Sequence, residues 1–431
     1  MILKTSISNL LRFFYTDSSN ISLLIFWNSL FVAFFLLPLG INIPTPFFIT
    51  AMILGVINIF KSKTRVSKEN RVLLALPLYF IVLCVSLIYT THLNEGLDLT
   101  IRSASLFFFP LIFLYVKEDA ATVKRLFDFL LVGIVISFFI NLFFGLYSCY
   151  EVISSKTIIG NDIEETISTF LYALKQGGEY LIGTEFSKMV NPNYISLYIL
   201  LVLSYYLKNK MTTKLQTFVL IILFLYLFLL ASRAAYLILF IMCLILIFNI
   251  KDNSKKYTMV IMMLLGTALF ISNSRVFNSY KEYKKPTSEE VSSTTIEKTR
   301  LLTWYSAWQL IKQSPLIGYG VGDANEVLIE KYKELNYIRN YRNRYNAHNQ
   351  FLQTYLQTGF IGFSILLYIF VLLGIRLQRS KNEFLVFIVL TISILFESML
   401  VRFNGIVFLS IIIPLLLKER SILSSRIIRN T

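Results

Sequence analysis

Residues 351–376 read FLQTYLQTGFIGFSILLYIFVLLGIR, and Arg376, the last residue of this run, is its only charged one. Because a bilayer crossing takes about 20 mostly apolar residues, the run predicts a transmembrane helix. Applied outward along the chain, the same criterion predicts twelve spans in all. Their approximate limits are 21–39, 42–60, 71–90, 100–116, 124–146, 190–207, 214–231, 233–250, 256–272, 351–376, 383–401 and 404–418.

The composition agrees with this prediction, since 56% of the 431 residues are hydrophobic and only 15% are charged. Soluble domains carry about 25% charged residues, so the composition excludes a soluble globular enzyme as well as a disordered chain. We therefore expect an all-α polytopic membrane protein. The basic cytoplasmic loops of such a protein explain the net charge of +16, and we expect no nucleic acid partner.

The segments that link the spans alternate in charge, and this alternation predicts the orientation of the protein. Every second linker is short and rich in lysine and arginine, which places it on the cytoplasmic side together with both chain termini. No small-residue cleavage site follows the first apolar run, so we expect a retained helix rather than a signal peptide. The basic residues of these linkers and of the C-terminal tail are Lys61, Lys63, Arg65, Lys68, Arg71, Lys117, Lys124, Arg125, Lys208, Lys210, Lys214, Lys251, Lys255, Lys256, Arg376, Arg379, Lys381, Lys418, Arg420, Arg426 and Arg429.

Two of the outward-facing segments are long, at about 147–189 and about 273–347. Loops of this length are usually functional or disordered, but both of these carry helical signals. In the first, Asp162 and Glu165 form a capping-box pattern ahead of an apolar face, which predicts an interfacial helix. The predicted organisation is spans 1–9 within 1–272, a large helical outer loop at 273–347, and spans 10–12 with a cytoplasmic tail within 348–431.

The second outer segment carries a stripe of apolar residues at helical spacing that ends before Pro315. The stripe predicts a helix that packs through this face, and its members are Leu301, Trp304, Trp308 and Ile311. Asp323 followed by Glu326 predicts the start of a second helix. The run Gly318-Tyr319-Gly320-Val321-Gly322 resembles a phosphate-binding loop, but no parallel sheet precedes it, so a tight turn is the better interpretation.

Ionisable residues near the predicted outer ends of spans are candidates for a functional site, because a charged group in a membrane is energetically costly and usually has a function. Glu397 lies inside the predicted eleventh span, whereas Arg102, Arg233 and Arg402 lie at an outer start or in outer turns. One interpretation is a structural Glu–Arg pair together with arginines that reach the interface. The other is an anion site, since the planar guanidinium binds phosphate oxygens in a bidentate manner and stays charged.

The end of the second outer segment, residues 339–349, reads RNYRNRYNAHN. It places Arg339, Arg342 and Arg344 shortly before His348. A lone histidine is usually structural, and His348 could cap the helix that follows. Its position beside an arginine cluster at the mouth of a bundle favours a general base, since neutral imidazole commonly has that role near pH 7. No residue spacing indicates a metal site, and the three cysteines indicate neither a metal cluster nor a disulfide framework.

Between about 180 and 403 the chain resembles the O-antigen ligase and Wzy-type polymerase superfamily of bacteria. The strongest match is His348-Asn349, followed by Leu352, Gly359 and Gly362, where a span opens after a long outer loop. Further matches follow in the order of the family: Gly183 with Asn191-Pro192-Asn193, then Ser232-Arg233, then Arg300, Trp304 and Pro315 ahead of the glycine-rich run. Gln357 stands in a region where many relatives carry an acid, which puts a carboxylate role there in doubt.

The resemblance implies an inverting, metal-independent glycosyltransferase fold of the C type in the bacterial inner membrane, with its active site on the periplasmic side. The donor would be a saccharide on undecaprenyl pyrophosphate. The acceptor would be lipid A–core for a ligase, or a second lipid-linked repeat unit for a polymerase. By motif match, His348 would be the base on the acceptor hydroxyl, and Arg233 and Arg300 would hold the pyrophosphate. The other predicted substrate-binding residues are Arg342, Arg344, Asn349, Glu397, Arg402 and Asn193.

The chemistry of such a transfer suits the residues present. The donor already carries an excellent leaving group, so we expect no cofactor; a base and charge stabilisation of the departing pyrophosphate suffice. We expect the ligase reaction, with the polymerase as the alternative. A secondary transporter fits less well, because no internal repeat is evident and the ionisable residues gather at one face. A non-catalytic partner of a glycan assembly complex is a further alternative, which the presence of His348 and Arg233 disfavours.

Overall fold

The computed structural model describes residues 14–15, 20–40, 42–62, 66–116, 118, 122–154, 178–206, 214–249, 257, 260, 263–264, 296–378 and 381–418. These residues are largely helical and include no β-strand, which confirms the all-α prediction for this part of the chain. The α-helices described are α1 (Ile21–Leu36), α2 (Thr45–Lys61), α3 (Ala75–Ser86), α4 (Leu93–Ser103), α5 (Ser105–Tyr115), α6 (Thr122–Ser154), α7 (Pro192–Tyr206), α8 (Lys214–Leu230), α9 (Arg233–Asn249), α10 (Ile296–Gln313), α11 (Ala324–Glu334), α12 (Ile338–Arg342), α13 (Gln350–Leu377), α14 (Lys381–Phe396) and α15 (Phe403–Leu417). Short 3-10 helices adjoin them at Leu37–Leu39, Glu69–Leu74, Leu87–Tyr89, Gly178–Leu181 and Met399–Val401.

Five helical stretches in the described part are long and apolar enough to cross a membrane, namely Ile21–Leu39, Glu69–Tyr89, Leu93–Tyr115, Thr122–Glu151 and Gln350–Leu377. Five shorter apolar helices accompany them. The described helices coincide with eleven of the twelve predicted spans. The ninth, at 256–272, lies almost entirely outside the described residues, as does the interfacial helix predicted after Asp162. The total of twelve spans therefore stays a prediction.

The chain divides into two compact units. One comprises Met1–Phe31, Thr45–Leu126 and Asn278–Thr431, and the other comprises Val32–Pro44 and Phe127–Phe277. In the first unit α13 packs against α3 and α14, while α5 packs against α2, α3 and α15. The interior of this unit is rich in aromatic side chains; the Trp27 ring, for example, stacks on Phe113 with 5.9 Å between centroids.

In the second unit, α7 packs against both α8 and α9. The hydroxyl of Tyr226 on α8 is buried and lies 2.9 Å from Ser137 Oγ and 2.8 Å from Asn141 Nδ2, both on α6. Polar side chains inside an apolar bundle are stable when they pair in this way, because an unmet hydrogen bond there is costly.

Helix α13 is broken at Gly359, whose φ of 63° and ψ of −156° are not helical. The segment 315–322, called the glycine turn below, supplies the backbone partners that the break removes. Irregular backbone at membrane depth is tolerated where neighbouring protein satisfies its polar groups, so the glycine turn completes the helix. The hydrogen bonds run from Tyr319 N–H to the Leu356 carbonyl (2.8 Å), from Gly320 N–H to the Gln357 carbonyl (3.1 Å) and from Phe360 N–H to the Pro315 carbonyl (3.0 Å).

The glycine turn is a tight turn, as the sequence predicted, and not a phosphate loop. Gly318 and Gly320 adopt left-handed φ values of 69° and 91°. The N–H of Val321 donates to Ser86 Oγ at 3.2 Å, and the N–H of Gly322 donates to Thr90 Oγ1 at 3.3 Å. Because these N–H groups are satisfied within the protein, they are not available to hold a phosphate.

Two predicted boundaries are wrong. The eleventh span, predicted at 383–401, is too long, because α14 ends at Phe396 and Glu397 lies in a bend beyond the helix. The fourth span, predicted at 100–116, starts too late, because α4 begins at Leu93. Hydropathy finds apolar runs, so it misses an amphipathic helix such as α4. Within α4, Arg102 forms an ion pair with Asp98 one turn earlier, which gives this arginine a structural partner.

The packing face predicted for α10 is also wrong in part. The helix forms and ends before Pro315 as predicted, but Leu301 and Trp308 are 63% and 51% exposed. The buried face lies on the opposite side and consists of Thr303, Ser306, Ala307, Leu310 and Ile311. This face packs on α11 and α13. Periodicity reports that a helix has an apolar stripe, but it does not report which stripe is covered by protein.

Candidate active site

His348 lies between α12 and α13, two residues before α13 begins. Its φ of 45° falls in the left-handed region, which few residues other than glycine adopt. The next residue, Asn349, is the N-cap of α13, and its Oδ1 accepts a hydrogen bond from the Leu352 N–H at 3.2 Å. The alternative in which His348 caps the helix is therefore wrong. The capping role also occupies the Asn349 oxygen, and contact of Asn349 with a substrate stays a prediction.

The carboxylate of Glu397 faces the imidazole of His348. The distance from His348 Nδ1 to Glu397 Oε1 is 3.4 Å, and the two side chains are 23% and 9% exposed. This is an ion-pair distance, but the hydrogen-bond geometry is not met, and Nδ1 has no hydrogen-bond partner among the described residues. The sequence named both residues but assigned Glu397 to the substrate; it gave no sign that the two side chains meet.

Two further contacts hold this pair of residues in place. The side-chain oxygen of Gln350, on the first turn of α13, accepts the N–H of Leu400 at 2.7 Å. This bond ties the start of α13 to the segment that follows Glu397. The Tyr345 ring packs edge-on against the His348 ring, with 5.3 Å between centroids. Direct contacts thus hold the start of α13, the segment after Glu397 and the His348 ring in place, as a precise side-chain geometry requires.

Helix α10 brings Arg300 to the neighbourhood of the pair. The Arg300 guanidinium lies over the ring of Phe396, with its carbon 5.7 Å from the centroid, and Phe396 directly precedes Glu397. The Trp304 ring packs on the same Phe396 ring at 6.0 Å. The structure therefore places three sequence-predicted residues, Arg300, His348 and Glu397, around the end of α14.

The other predicted arginines of this unit have different surroundings. Arg344 has a left-handed φ of 47° and forms an ion pair with Glu326 of α11. Arg342 and Arg402 are exposed, and neither makes an ion pair with a residue that the structure describes. Exposed guanidinium groups remain accessible to an anionic ligand, whereas Arg344 already has a carboxylate partner.

Asn193 and Arg233 belong to the second unit. Asn193 lies on the first turn of α7, and its Oδ1 accepts the Ser232 hydroxyl at 3.1 Å. Arg233 is the first residue of α9, directly after the turn in which Ala231 adopts a left-handed φ of 47°. Ser232 thus connects the two motifs that the sequence matched separately, a contact that the motifs themselves did not predict.

A second cluster, missed from the sequence, surrounds Asp323. Its carboxylate accepts the N–H groups of Thr91 (2.8 Å) and His92 (2.7 Å), the Thr91 hydroxyl (2.9 Å), and pairs with His92 Nδ1 (2.8 Å). Burial would raise the pKa of Asp323, but the hydrogen bonds from Thr91 and His92 outweigh it and lower that pKa. The hydrogen bond to Asp323 raises the pKa of His92. Asp323 does precede α11 as predicted, but its side chain makes no cap hydrogen bond, because its oxygens bind Thr91 and His92 instead.

No group of three or more His, Cys, Asp or Glu side chains among the described residues could hold a metal ion.

Residues 218–367 match the sequence model of a family described as O-antigen ligase. The match confirms the resemblance to the O-antigen ligase and Wzy-type superfamily that the motifs predicted. It includes Arg233, Arg300 and His348, and it ends before Glu397 and Arg402. No curated protein matches the chain.

Proposed function

We propose that this chain is an O-antigen ligase-type glycosyltransferase, which moves a polysaccharide from undecaprenyl pyrophosphate to lipid A–core. The reaction takes place at the outer leaflet of the inner membrane. The family match at 218–367 supports the reaction class. The observation that carries the proposal is the contact between His348, just before α13, and Glu397, just after α14.

In the proposed reaction His348 is the general base. The acceptor hydroxyl loses its proton to His348 Nε2 while its oxygen attacks the anomeric carbon of the donor. The bond from that carbon to the pyrophosphate oxygen breaks, its electron pair leaves with the pyrophosphate, and the configuration inverts. A positioned base contributes about 10²–10⁴-fold to the rate of such a step.

Glu397 acts through His348 in this proposal and does not bind the glycan. A carboxylate that faces Nδ1 keeps the proton on that nitrogen, so that Nε2 is the free acceptor, and it stabilises the imidazolium that forms. The buried position of Glu397 and its distance of 3.4 Å from Nδ1 support this assignment.

The arginines serve the leaving group. Arg300 is assigned to the pyrophosphate because it lies over Phe396, next to the proposed base pair. Arg342 is assigned to the same anion because its guanidinium is exposed a few residues before His348. Arg233, at the start of α9, is proposed as a further pyrophosphate ligand on the strength of its motif and of the family match that includes it.

A deletion strain complemented with single variants tests the proposal through its lipopolysaccharide gel. Loss of a ligase leaves core with no attached units, and the His348→Gln gene should fail to restore them. Core that carries one unit would instead identify a polymerase. An unchanged lipopolysaccharide banding pattern in the deletion strain would contradict both the ligase and the polymerase assignment. Loss of uptake of a solute by the same strain would then favour a transporter.

A further inference from the structure

Helix α10 carries a second apolar stripe, on the side opposite its packed face. With about 3.6 residues per turn, Leu301, Tyr305 and Trp308 fall on one line along the helix, and Lys312 continues it. Tyr305 is 50% exposed, like its two neighbours on the stripe. The Lys312 ammonium lies 5.8 Å from the centroid of the Trp308 ring. A solvated helix usually presents charged and polar residues on its outer face, so this stripe needs a partner.

The stripe is followed by an exposed apolar tip on the glycine turn. Leu316 and Ile317 are 70% and 52% exposed. This tip is fixed: the Phe360 N–H donates to the Leu316 carbonyl at 3.2 Å, and the Tyr89 hydroxyl donates to the Ile317 carbonyl at 2.7 Å. Hydrogen bonds to its backbone thus fix the tip in its exposed position.

The tip adjoins the exposed apolar side of α13. Phe360 and Ile361, directly after the break at Gly359, are more than half exposed. Further exposed residues continue from them along the same side of the helix, at Leu367, Tyr368, Val371 and Ile375. Helix α13 is one of the helices long and apolar enough to cross a membrane. Where such a helix crosses a bilayer, its exposed apolar side contacts lipid, and the tip of the glycine turn adjoins this side of α13.

We propose that the α10 stripe and the tip of the glycine turn lie in the outer leaflet of the membrane, with α10 resting in the headgroup and glycerol region. The inference does not depend on the proposed transferase reaction, but it does require that α13 crosses the bilayer. Tryptophan and tyrosine concentrate at this depth, and a lysine can extend from it toward the water. A helix with one protein-packed face and one lipid face keeps Arg300 at a fixed height above the membrane.

Two other occupants of the stripe are less consistent with the residues. The segment 278–295 contains six charged residues and only three large apolar ones, Tyr280, Tyr283 and Val291, so it is too polar to cover the stripe and the tip together. A glycan would stack on Tyr305 and Trp308. It would gain nothing from Leu301, Leu316 or Ile317, because aliphatic side chains offer neither a ring face nor a hydrogen bond.

Tryptophan fluorescence in lipid vesicles tests the proposal, because the full chain has only three tryptophans, Trp27, Trp304 and Trp308. The double variant Trp27→Phe/Trp304→Phe leaves Trp308 as the sole probe. It is reconstituted into phosphatidylcholine vesicles whose acyl chains carry bromine either near the glycerol end or near the methyl end. We expect a loss of Trp308 fluorescence relative to unbrominated lipid, larger for bromine near the glycerol end.

The matched control is Trp304→Phe/Trp308→Phe, which leaves the fully buried Trp27 and should lose little fluorescence in either lipid. An unquenched Trp308 would overturn the proposal, and its emission would identify the occupant. Blue emission would mean that protein covers the stripe, and red emission that water or glycan reaches it. If a double variant does not fold, the quenching of the natural chain minus that of Trp308→Phe gives the same comparison.

Discussion

At the scale of single residues, His348 combines an unusual backbone with the proposed chemistry, and the two can be separated. His348→Asn should abolish most transfer, by about 10²-fold or more, because an amide accepts no proton near neutral pH. The protein should keep its thermal stability, since asparagine is among the residues that best tolerate the left-handed region that His348 occupies. The measurement is transfer from purified lipid-linked donor beside a thermal unfolding curve.

A control for the backbone is available at Asn336, which also has a left-handed φ, of 55°. Asn336→Ala and His348→Ala should each cost at most about 1 kcal/mol of stability, because alanine lacks the polar side chain that lets asparagine and histidine tolerate the left-handed region. Only the second should stop transfer. Normal transfer by His348→Asn would show that His348 is not the general base, and only the arginines would remain in the proposed site.

Arg300 and Arg344 form a matched pair for testing the pyrophosphate site. Arg300→Ala should lower transfer by on the order of 10²-fold, as expected when a group that stabilises transition-state charge is removed. Arg300→Lys should recover little of it, because the charge returns without the planar fork. Arg344→Lys keeps an ion pair with Glu326 and should change transfer far less. Equal effects of the two lysine variants would argue against a special role for Arg300.

At the scale of elements, the break in α13 depends on Gly359. A Cβ on this residue would collide with the carbonyl oxygen of Leu316 and the N–H of Ile317, and its φ and ψ belong to a region that only glycine populates readily. Gly359→Ala should therefore lower stability by about 1–3 kcal/mol or more. In Gly374→Ala, on the same helix, the new Cβ meets only the Phe387 side chain, at 3.0 Å, so the loss should be smaller. Thermal unfolding in detergent compares the two, and equal losses would contradict the account of the break.

The Asp323 cluster predicts a pH window of stability. The depressed pKa of Asp323 gives a contribution that is present above its ordinary value of 3.8 and is lost as pH falls through the lower folded value. The raised pKa of His92 gives a second contribution to stability. This contribution is complete below the ordinary value of 6.5 and is lost as pH rises through the higher folded value. The melting temperature of the natural chain should exceed that of Asp323→Asn most between these two values. A difference that is constant across pH would show that neither ionisation matters.

At the scale of the whole molecule, the charge alternation predicts the side on which each segment lies. Reporter fusions at Asn161 and Glu289 should report an extracytoplasmic site, and fusions at Thr64 and Asn253 a cytoplasmic one. The opposite result at Asn161 or Glu289 would place His348 in the cytoplasm. The proposed reaction at the outer leaflet would then be untenable.

The sequence predicts the composition of the candidate site better than its contacts. Apolar runs were enough to locate eleven helices, because helix length in a membrane follows directly from bilayer thickness. The motifs were enough to name Arg300 and His348, and the position of a carboxylate inside the eleventh predicted span was enough to name Glu397. That Glu397 faces Nδ1 could not be predicted, because the contact joins two helices and arises from the bend after Phe396. The Asp323 cluster could not be predicted either, because Thr91 and Asp323 lie 232 residues apart in the chain.

That separation has a consequence for how the protein is made. Ribosomes add about 5–20 residues per second, so the turn at Thr91 and His92 waits on the order of tens of seconds before Asp323 is synthesised. Until then the N–H groups of that turn, between α3 and α4, lack their final acceptor. The same delay applies to Ser86 and Thr90, whose hydroxyls accept N–H groups of the glycine turn. The turn between α3 and α4 is thus synthesised early and completed late, and a nascent chain stalled before residue 315 would leave these groups without their final partners.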